Sequence, residues 1–367
     1  MSDAFCEKTI FESWETGGYR MYRIPGMIVT QKGTVLAYYE ARMANGDWGK
    51  ENIIMRRSED NGLTWSDRIM LIEQPQESTD TYHNVVLFPD RNGDIHMLWH
   101  RNYCQCFYQK SVDDGVTWSE PREITEVYER FRKEYDWNVI AAGPGHGIQL
   151  ANGRLFVPVW ISTGGKRHRP SVLSCIYSDD HGDSWERGEI IWDKDGFVNP
   201  NETGAIQLDN GSVLMNIRHE SDDTHRAVSV SKDGATGWSK PVLDPVLADP
   251  VCFAGIVKGI YPGSGKSFVL FSNCNFDGSY QYDPETGKRF HKDDRIHLTI
   301  RISEDDCQSW KYSRELEAVS GYSDVAVSKD GSTFFCLYEK DWENGSWGCT
   351  RHMAVARFNL EWVRENS

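Results

Sequence analysis

The chain has 367 residues, a formal net charge of -15 and a mean hydropathy of -0.58. Such an acidic chain repels nucleic acid and anionic membrane surfaces, so we expect neither as a partner. No apolar stretch approaches the roughly 20 residues of a membrane-spanning helix, and no linker or composition shift divides the sequence. We therefore predict one domain over residues 1–367.

Six hydrophobic runs each break at a polar turn and resume, which predicts β-hairpins. The turns centre near Lys32, Asn92, Asn152, Asn210, Ser264 and Asp330. Successive centres are 60, 60, 58, 54 and 66 residues apart, which indicates a repeat of about 60 residues present six times.

A second motif, Ser-x-Asp-x-Gly-x-(Thr/Ser)-Trp or a decayed copy of it, follows most hairpins. The copies start at Ser58, Ser111, Ser178, Ser231 and Ser303. We interpret each as a tight turn in which Asp caps backbone N–H groups, Gly takes a positive φ and Trp packs beneath, a structural role without catalysis. Two hairpins per repeat make a four-stranded blade, so the prediction is an all-β, six-bladed β-propeller. The first and last strands are expected to share the final blade.

The nine cysteines are scattered through predicted strands, which favours reduced, mostly buried thiols. The start of the sequence lacks the basic and then apolar pattern of a secretory signal. As numbered, the chain is expected to be cytoplasmic; a signal removed ahead of it would instead imply a secreted or periplasmic protein.

Charged and aromatic residues recur at the ends of three predicted hairpins, away from the turns. Counting eight to ten residues outward from the turn centres places six of them at one level: Arg23, Arg42, Glu202, Arg218, Tyr322 and Glu339. Any one of them is more simply a solvated strand-end residue. Six at matched height predict a common site on one face of the propeller, around its central channel.

Several short motifs carry a family resemblance. They are Tyr22-Arg23-Ile24-Pro25, the Asp boxes, Gly143-Pro144-Gly145-His146-Gly147-Ile148, Asn201-Glu202 with Arg218 sixteen residues later, and Tyr322-Ser323-Asp324 before Leu337-Tyr338-Glu339. Together they resemble the bacterial-type exo-sialidases, from about Tyr19 to Trp362. The resemblance implies a retaining enzyme that hydrolyses terminal sialic acid from a sialylated glycan.

The resemblance also implies three arginines that hold the substrate carboxylate, a role for which guanidinium forks suit better than lysine. Arg23 and Arg218 match two of them. We choose Arg295 as the third; Arg301 competes, but its place two residues before an Asp box indicates an outer strand. Glu339 resembles the glutamate that braces the first arginine, here Arg23.

For the nucleophile, the resemblance points to Tyr322, with Glu202 as its base. A carboxylate nucleophile would be repelled by the carboxylate on the anomeric carbon, whereas a neutral tyrosine would not. Sialidases with a tyrosine nucleophile are an established exception to the two-carboxylate scheme of glycosidases. We expect the arginines to favour the phenolate of Tyr322.

Asp47, on the loop after the first hairpin, is the implied general acid, with a pKa raised by desolvation under a lid. Glu51 is its nearest rival, and Glu40 fits less well because it lies within a strand. Trp48 is expected to wall the pocket. Arg42 either contacts the sugar or supports Asp47.

No HExxH motif, Cys/His ligand spacing or phosphate-binding glycine loop occurs, so we predict no metal and no cofactor. Three alternatives stay open. The sugar could be another 2-ulosonic acid such as KDN or Kdo, the product could come from transfer or be a 2,7-anhydro sugar, or the chain could be a sialoglycan-binding propeller without activity. Asp47, Glu202 and Tyr322 together favour an enzyme, because binding alone needs only the arginines.

Overall fold

The computed structural model describes residues 3–192, 196–279, 291, 293–342 and 350–365. Nearly all regular structure is β-strand, beginning with β1 (Cys6–Ser13). The first sheet contains β2 (Met21–Val29), β3 (Val35–Arg42), β4 (Glu51–Ser58) and β5 (Ile69–Ile72). The second contains β6 (Tyr82–Pro89), β7 (Ile95–Arg101), β8 (Gln105–Ser111) and β9 (Arg122–Glu123).

The third sheet is formed by β10 (Val139–Ala142), β11 (Ile148–Gln149), β12 (Leu155–Ser162), β13 (Ser171–Ser178) and β14 (Glu186–Arg187). The fourth contains β15 (Thr203–Gln207), β16 (Val213–Ile217), β17 (His225–Ser231) and β18 (Val242–Ala248). The helical segments are short: α1 (Glu126–Glu129), a 3-10 turn at Gly165–Arg167 and α2 (Leu360–Arg364). No helix within the described ranges has the length and apolar character needed to cross a membrane.

The fifth sheet has seven strands and departs from the prediction of six separate blades. It comprises β19 (Gly255–Ile260), β20 (Ser267–Cys274), β21 (Ile296–Ser303), β22 (Tyr312–Val327), β23 (Phe334–Trp342), β24 (Thr350–Phe358) and β1. The cause is β22, whose first half pairs with β21 and whose second half pairs with β23. The described residues therefore form four separate blade sheets and one fused sheet.

The sheets stand around an axis in a β-propeller arrangement, with apolar layers between neighbours. One layer joins the first and second sheets, where Leu36 of β3 packs in the same cluster as Leu87 of β6. Another joins the last sheet to the first, where Phe335 and Leu337 pack with Met27 and Tyr39. Because both faces of each sheet are covered, the strand interiors are almost wholly buried.

The N-terminal strand closes the ring. All of β1 pairs antiparallel with β24, from Cys6 opposite Phe358 to Ser13 opposite His352. Glu12 on this strand is 2 % exposed and pairs with Arg56 and Arg68 of the first sheet. The two ends of the chain thus meet in one sheet, as the sequence predicted.

Two β-bulges shape the backbone where the predicted site residues lie. The first falls between Arg23 and Gly26, and Ile24 within it has φ 58°, which is unusual for a β-branched residue. The second interrupts the pairing of β22 and β23 between Ser320 and Ser323. Each bulge breaks the alternation of side chains along its strand beside a predicted site residue, Arg23 in the first and Tyr322 in the second.

Candidate active site

A small polar cavity of about 140 Å³ lies at one end of the inner strands. Its lining includes Arg23, Arg42, Asp47, Glu202, Arg218, Arg295 and Tyr322. A larger cavity of about 680 Å³ lies toward the other end of the same strands and is lined mostly by apolar residues such as Met27, Val257 and Val325. The larger cavity also has charged residues in its lining, such as Asp90 and Lys258, but most of the predicted site residues line the smaller one.

Three arginines surround one tyrosine ring in the small cavity. The guanidinium carbons of Arg23, Arg295 and Arg218 lie 4.8, 4.9 and 6.0 Å from the centre of the Tyr322 ring. All three arginines are at least nine-tenths buried, at 5, 2 and 7 % exposure. Arg23 Nη2 and Arg218 Nε are buried without a hydrogen-bond partner among the described residues. Unsatisfied buried donors of this kind favour an anionic ligand.

Glu339 fixes both the first arginine and the tyrosine. Its Oε1 accepts from Arg23 Nε at 2.9 Å and from Ile24 N at 3.1 Å, and its Oε2 accepts from Tyr322 N at 3.1 Å. Burial alone would lower the pKa of Arg23, but the Glu339 charge outweighs it and raises that pKa. A Cβ on residue 321 would stand 2.2 Å from Glu339 Oε2, so Gly321 leaves the carboxylate its place.

Glu202 and Arg218 face each other across the fourth sheet, just beyond the paired ends of β15 and β16. Their backbones are joined by a hydrogen bond from Arg218 N to Glu202 O at 3.2 Å. Arg218 Nη1 donates both to Glu202 Oε2 and to the Tyr322 hydroxyl, the latter at 3.0 Å. The structure therefore joins Glu202 and Tyr322 through Arg218, which contacts both.

The surroundings of the Tyr322 hydroxyl favour its neutral form, the phenol. Burial raises its pKa most, the Glu202 charge raises it further, and the three arginines lower it without offsetting the rise. We expected the arginines to favour the phenolate; they act in that direction, but desolvation is the larger effect. A phenol with a raised pKa can act as a nucleophile only with the help of a base.

Asp47 lies at the mouth of the pocket with its side chain 45 % exposed. Its Oδ1 accepts from Arg42 Nη1 at 2.8 Å. Burial would raise the pKa of Asp47, but Arg42 and then Arg23 outweigh it and lower that pKa. This direction is opposite to the rise expected from the sequence. Arg42 thus contacts Asp47 and also lines the cavity, so both roles considered for it remain predictions.

The remaining predicted residues fall outside the cavity lining. Glu51 is fully buried and lies 3.0 Å from Arg42 Nε, behind the pocket. Trp48 does not line the cavity but stacks behind it against Tyr103 and His168, with ring centres 4.7 and 5.5 Å apart. Arg301 lies in β21 away from the cavity, whereas Arg295 lines it.

Further residues of the lining were not predicted. They are Ile24, Asn84, Tyr103, Trp160, His168, Arg169 and Asn201. Asn84 lies eight residues before the second turn centre and Trp160 eight after the third, so the counting used for the other hairpins finds both. Tyr103 and His168 lie in the connections between strands, with φ 52° and 59°. Counting residues along a strand from its turn therefore cannot find them. Among the described residues, no group of three or more His, Cys, Asp and Glu is arranged to hold a metal ion.

Comparison with known proteins assigns the fold and the family. A family model for the BNR repeat-like domain matches residues 69–335, more than half of the chain. Solved structures with the same fold include the Hadza microbial sialidase Hz136, with a TM-score of 0.77, 24 % identity and coverage of 94 % of this chain and 67 % of that one. A leech intramolecular trans-sialidase gives a TM-score of 0.78 at 17 % identity, covering 98 % and 71 %.

The fold and these matches define a BNR-repeat β-propeller. Among curated proteins, a sialidase of Micromonospora viridifaciens is 31 % identical over 94 % of this chain and 52 % of its own length. Sialidase-3 of Rattus norvegicus is 25 % identical, with 92 % of both chains covered. This chain spans about half of the bacterial relative and most of the mammalian one. It belongs to the bacterial-type sialidases with BNR repeats, a family of glycoside hydrolases.

Proposed function

We propose that this protein is a retaining exo-α-sialidase that removes terminal sialic acid from glycoconjugates. The observation that carries the proposal is the convergence of three buried arginines on Tyr322 in one small cavity. The sialidase names of its relatives support the choice of sugar acid. The arginine cluster gives an otherwise acidic chain a local site for an anion.

The substrate carboxylate would bind Arg23, Arg218 and Arg295. The free donors Arg23 Nη2 and Arg218 Nε supply hydrogen bonds that no described protein group accepts. Glu339 holds Arg23 at 2.9 Å before substrate arrives, so little orientational entropy is lost on binding. A charge-assisted bond of this kind contributes about 1.5–3 kcal/mol.

Tyr322 would attack the anomeric carbon once its proton passes to Glu202. The new bond joins Tyr322 Oη to that carbon while the bond to the leaving oxygen breaks, which inverts the configuration once. Arg218 contacts both residues and would move onto the substrate carboxylate, freeing Glu202 to accept the proton. Water then attacks the glycosyl-tyrosine intermediate and inverts the configuration again, so the net result is retention.

Asp47 would protonate the leaving oxygen and then accept a proton from the attacking water. Its place at the cavity mouth, 45 % exposed, lets it reach the side of the sugar that carries the leaving group. In the empty pocket its lowered pKa matches the base that the second step requires. Arg42 orients the carboxylate for both steps.

We also propose that the fused sheet represents two blades, which makes six in all within one domain. The β20 and β21 side chains Phe268 and Ile300 pack against Phe334 and Phe358 of β23 and β24. The two halves of the sheet therefore face each other as neighbouring blades do, with β22 shared between them.

The test is release of a fluorophore from an aryl α-N-acetylneuraminide by the wild-type chain and by Tyr322→Phe. The variant keeps the ring among the arginines but lacks the nucleophile, so turnover should fall by at least about 10³-fold while free sialic acid still binds. Tyr338→Phe, a buried tyrosine outside the cavity, is the matched control. Proton NMR that shows the α-anomer as first product supports retention.

Equal activity of the wild type and Tyr322→Phe would reject the mechanism. Absence of release by folded wild type would reject the sugar, and KDN and Kdo glycosides are then the next substrates. Binding of a sialoside without turnover of any of these glycosides would favour the binding-module alternative.

A further inference from the structure

Two buried glutamates lie behind Asp47 and face the same arginine. Arg42 Nε is 2.9 Å from Glu40 Oε2 and 3.0 Å from Glu51 Oε2, and all three side chains are at most 2 % exposed. The opposite end of the guanidinium, Nη1, holds Asp47 at 2.8 Å. Arg42 therefore connects the glutamate pair directly to the proposed general acid.

The charges of this cluster do not balance if every carboxyl is ionised. Among the described residues, Arg42 would then be the only cation in direct contact with Glu40, Glu51 and Asp47, and the two glutamates are shielded from water. An uncompensated buried carboxylate is costly, and neighbouring buried carboxyls relieve the cost by retaining a proton. Glu40 Oε2 and Glu51 Oε2 both lie within 3.0 Å of the same Arg42 nitrogen, which brings the two carboxyls near enough to be coupled.

The hydrogen bonds indicate which glutamate is ionised. Glu40 accepts from Arg42 Nε at 2.9 Å, from Arg42 Nη2 at 2.5 Å and, through Oε1, from Asn84 N at 2.9 Å. Glu51 Oε1 and Oε2 are both buried, and neither accepts a hydrogen bond from the described residues. Burial, and then the Glu40 charge, raise the pKa of Glu51 well above its usual value. The donors thus favour the anion on Glu40 and the proton on Glu51.

We propose that Glu40 and Glu51 share one proton, held by Glu51, and that the pair positions Arg42 and partly offsets the charge that Arg42 presents to Asp47. Glu40 and Glu51 are positioning residues, since neither reaches the cavity. Their effect on catalysis rests on the proposed sialidase function, whereas the shared proton does not.

Other titratable groups around the pair do not supply the missing charge. Burial lowers the pKa of His83 and raises the pKa of Tyr103, so both are neutral near pH 7. Arg23, opposite Glu40 on the neighbouring strand, also lowers the pKa of Asp47, but its ion-pair partner is Glu339. Without the pair, the charge of Arg42 would act fully on Asp47 and lower the pKa of the acid further.

The shared proton can be observed without substrate. An infrared difference spectrum of wild type minus Glu51→Gln, at neutral pH, should show the carbonyl stretch of one protonated carboxylic acid. Glu51→Asp should keep an acid band at a shifted position if the smaller variant folds. Glu59→Gln, whose side chain is 75 % exposed on the turn after the same strand, is the control and should lose no such band. Absence of the band from the wild type would overturn the proposal, whether or not the protein cleaves sialosides.

The pH profile of kcat, which reports the acid in the substrate complex, tests the effect on Asp47. Glutamine carries the same charge as a protonated glutamate, so Glu51→Gln should leave the alkaline limb at its wild-type pH. In Glu40→Gln/Glu51→Gln, the lower pKa of Asp47 should move that limb to lower pH. A downward shift in the single Glu51→Gln variant would show that Glu51 is ionised in the wild type, which contradicts the proposal.

Discussion

At the scale of single residues, Asp47 is the group whose ionisation matters most to the proposed mechanism. Arg42 and Arg23 lower its pKa, so the mechanism starts from an ionised Asp47. A bound carboxylate would offset the positive charge of Arg23 and move the pKa of Asp47 upward. The substrate would thereby help to protonate the acid that cleaves it, and the same residue reverts to a base after the leaving group departs.

Asp47→Asn should therefore affect substrates according to their leaving groups. An asparagine cannot donate a proton, so kcat/KM for a sialyl-lactose should fall by about 10²–10⁴-fold. An aryl sialoside with an acidic phenol needs little protonation, and its kcat/KM should fall far less. The comparison uses steady-state kinetics on both substrates, with the exposed Asp67→Asn as control. Equal losses on both substrates would exclude Asp47 as the general acid.

His146 should make stability depend on pH. Its Nδ1 lies 2.9 Å from Asp324 Oδ2, both side chains are at most 7 % exposed, and the pair raises the pKa of His146 above 6.5 although burial opposes the rise. A raised folded-state pKa means that the stabilisation is fully present below about 6.5, the unfolded value, and is lost as pH rises through the folded value.

Urea unfolding of wild type and His146→Gln across this range measures the effect. The difference in the free energy of unfolding should be largest in mild acid and should shrink as pH rises. Other histidines, such as His83 and His100, have lowered pKa values and act in the opposite direction, but they cancel in the difference. A difference that stays constant with pH would show that the His146 and Asp324 charges do not interact.

Much of the candidate site follows from sequence at this scale, and the rest depends on packing. Spacing and motif place Arg23, Arg218 and Tyr322 near one another. In a hairpin, the number of residues from the turn sets how far along the strands a residue lies, so equal counts in different hairpins give the same level. The degree of burial does not follow from spacing. The sequence therefore did not show that burial would raise the pKa of Tyr322 by more than the surrounding arginines lower it. His168 reaches the cavity from a loop, and a loop's direction is set by tertiary contacts.

At the scale of elements, the Asp boxes are repeated turns with one bonding pattern. In the third box, Asp180 Oδ1 accepts from Ser178 Oγ at 2.8 Å and from Ser184 N at 2.9 Å, while Gly182 at φ 90° reverses the chain. The first box repeats the same bonds through Asp60. Trp185 packs beneath, 6.2 Å from the Phe88 ring centre. The residue pattern predicts this turn because each bond is local.

Asp180→Ala should lower the thermal unfolding temperature and leave the KM for a sialoside unchanged. The substitution removes the acceptor for a backbone N–H and two hydroxyls, but the turn lies on the outer side of its sheet, away from the cavity. Calorimetry and steady-state kinetics on the same preparation separate the two effects. A raised KM at an unchanged unfolding temperature would give the box a functional role that its geometry does not suggest.

At the scale of the whole molecule, the sequence predicts the repeat but not the fusion of two sheets. Each hairpin is encoded by local turn residues, and the six predicted pairs are all formed. The path of β22 is not local: between Val319 and Tyr322 the chain meets no turn, and only a bulge at Gly321 marks the passage from one pairing partner to the next. Whether β22 continues as one strand across that bulge depends on its pairing with both β21 and β23, which the local sequence does not encode.

Removal of residues 1–13 should open the ring, because β1 lies within this segment and pairs with β24. Without β1, the backbone groups of β24 lose their partners and the sheet gains an open edge. Removal also takes away Glu12, leaving Arg56 and Arg68 without that carboxylate, and the buried ring of Phe11. The combined losses should lower the unfolding temperature by roughly 10 °C and promote association.

Thermal unfolding and size-exclusion chromatography of the shortened chain test this expectation. Ile10→Thr, at a position 48 % exposed on the same strand, should behave as wild type, because it keeps the backbone pairing and Glu12. A shortened chain with unchanged unfolding temperature and elution would mean that β24 forms a stable edge without β1. Stability would then depend on the layers between sheets alone, and the pairing of the chain ends would not be what holds the ring closed.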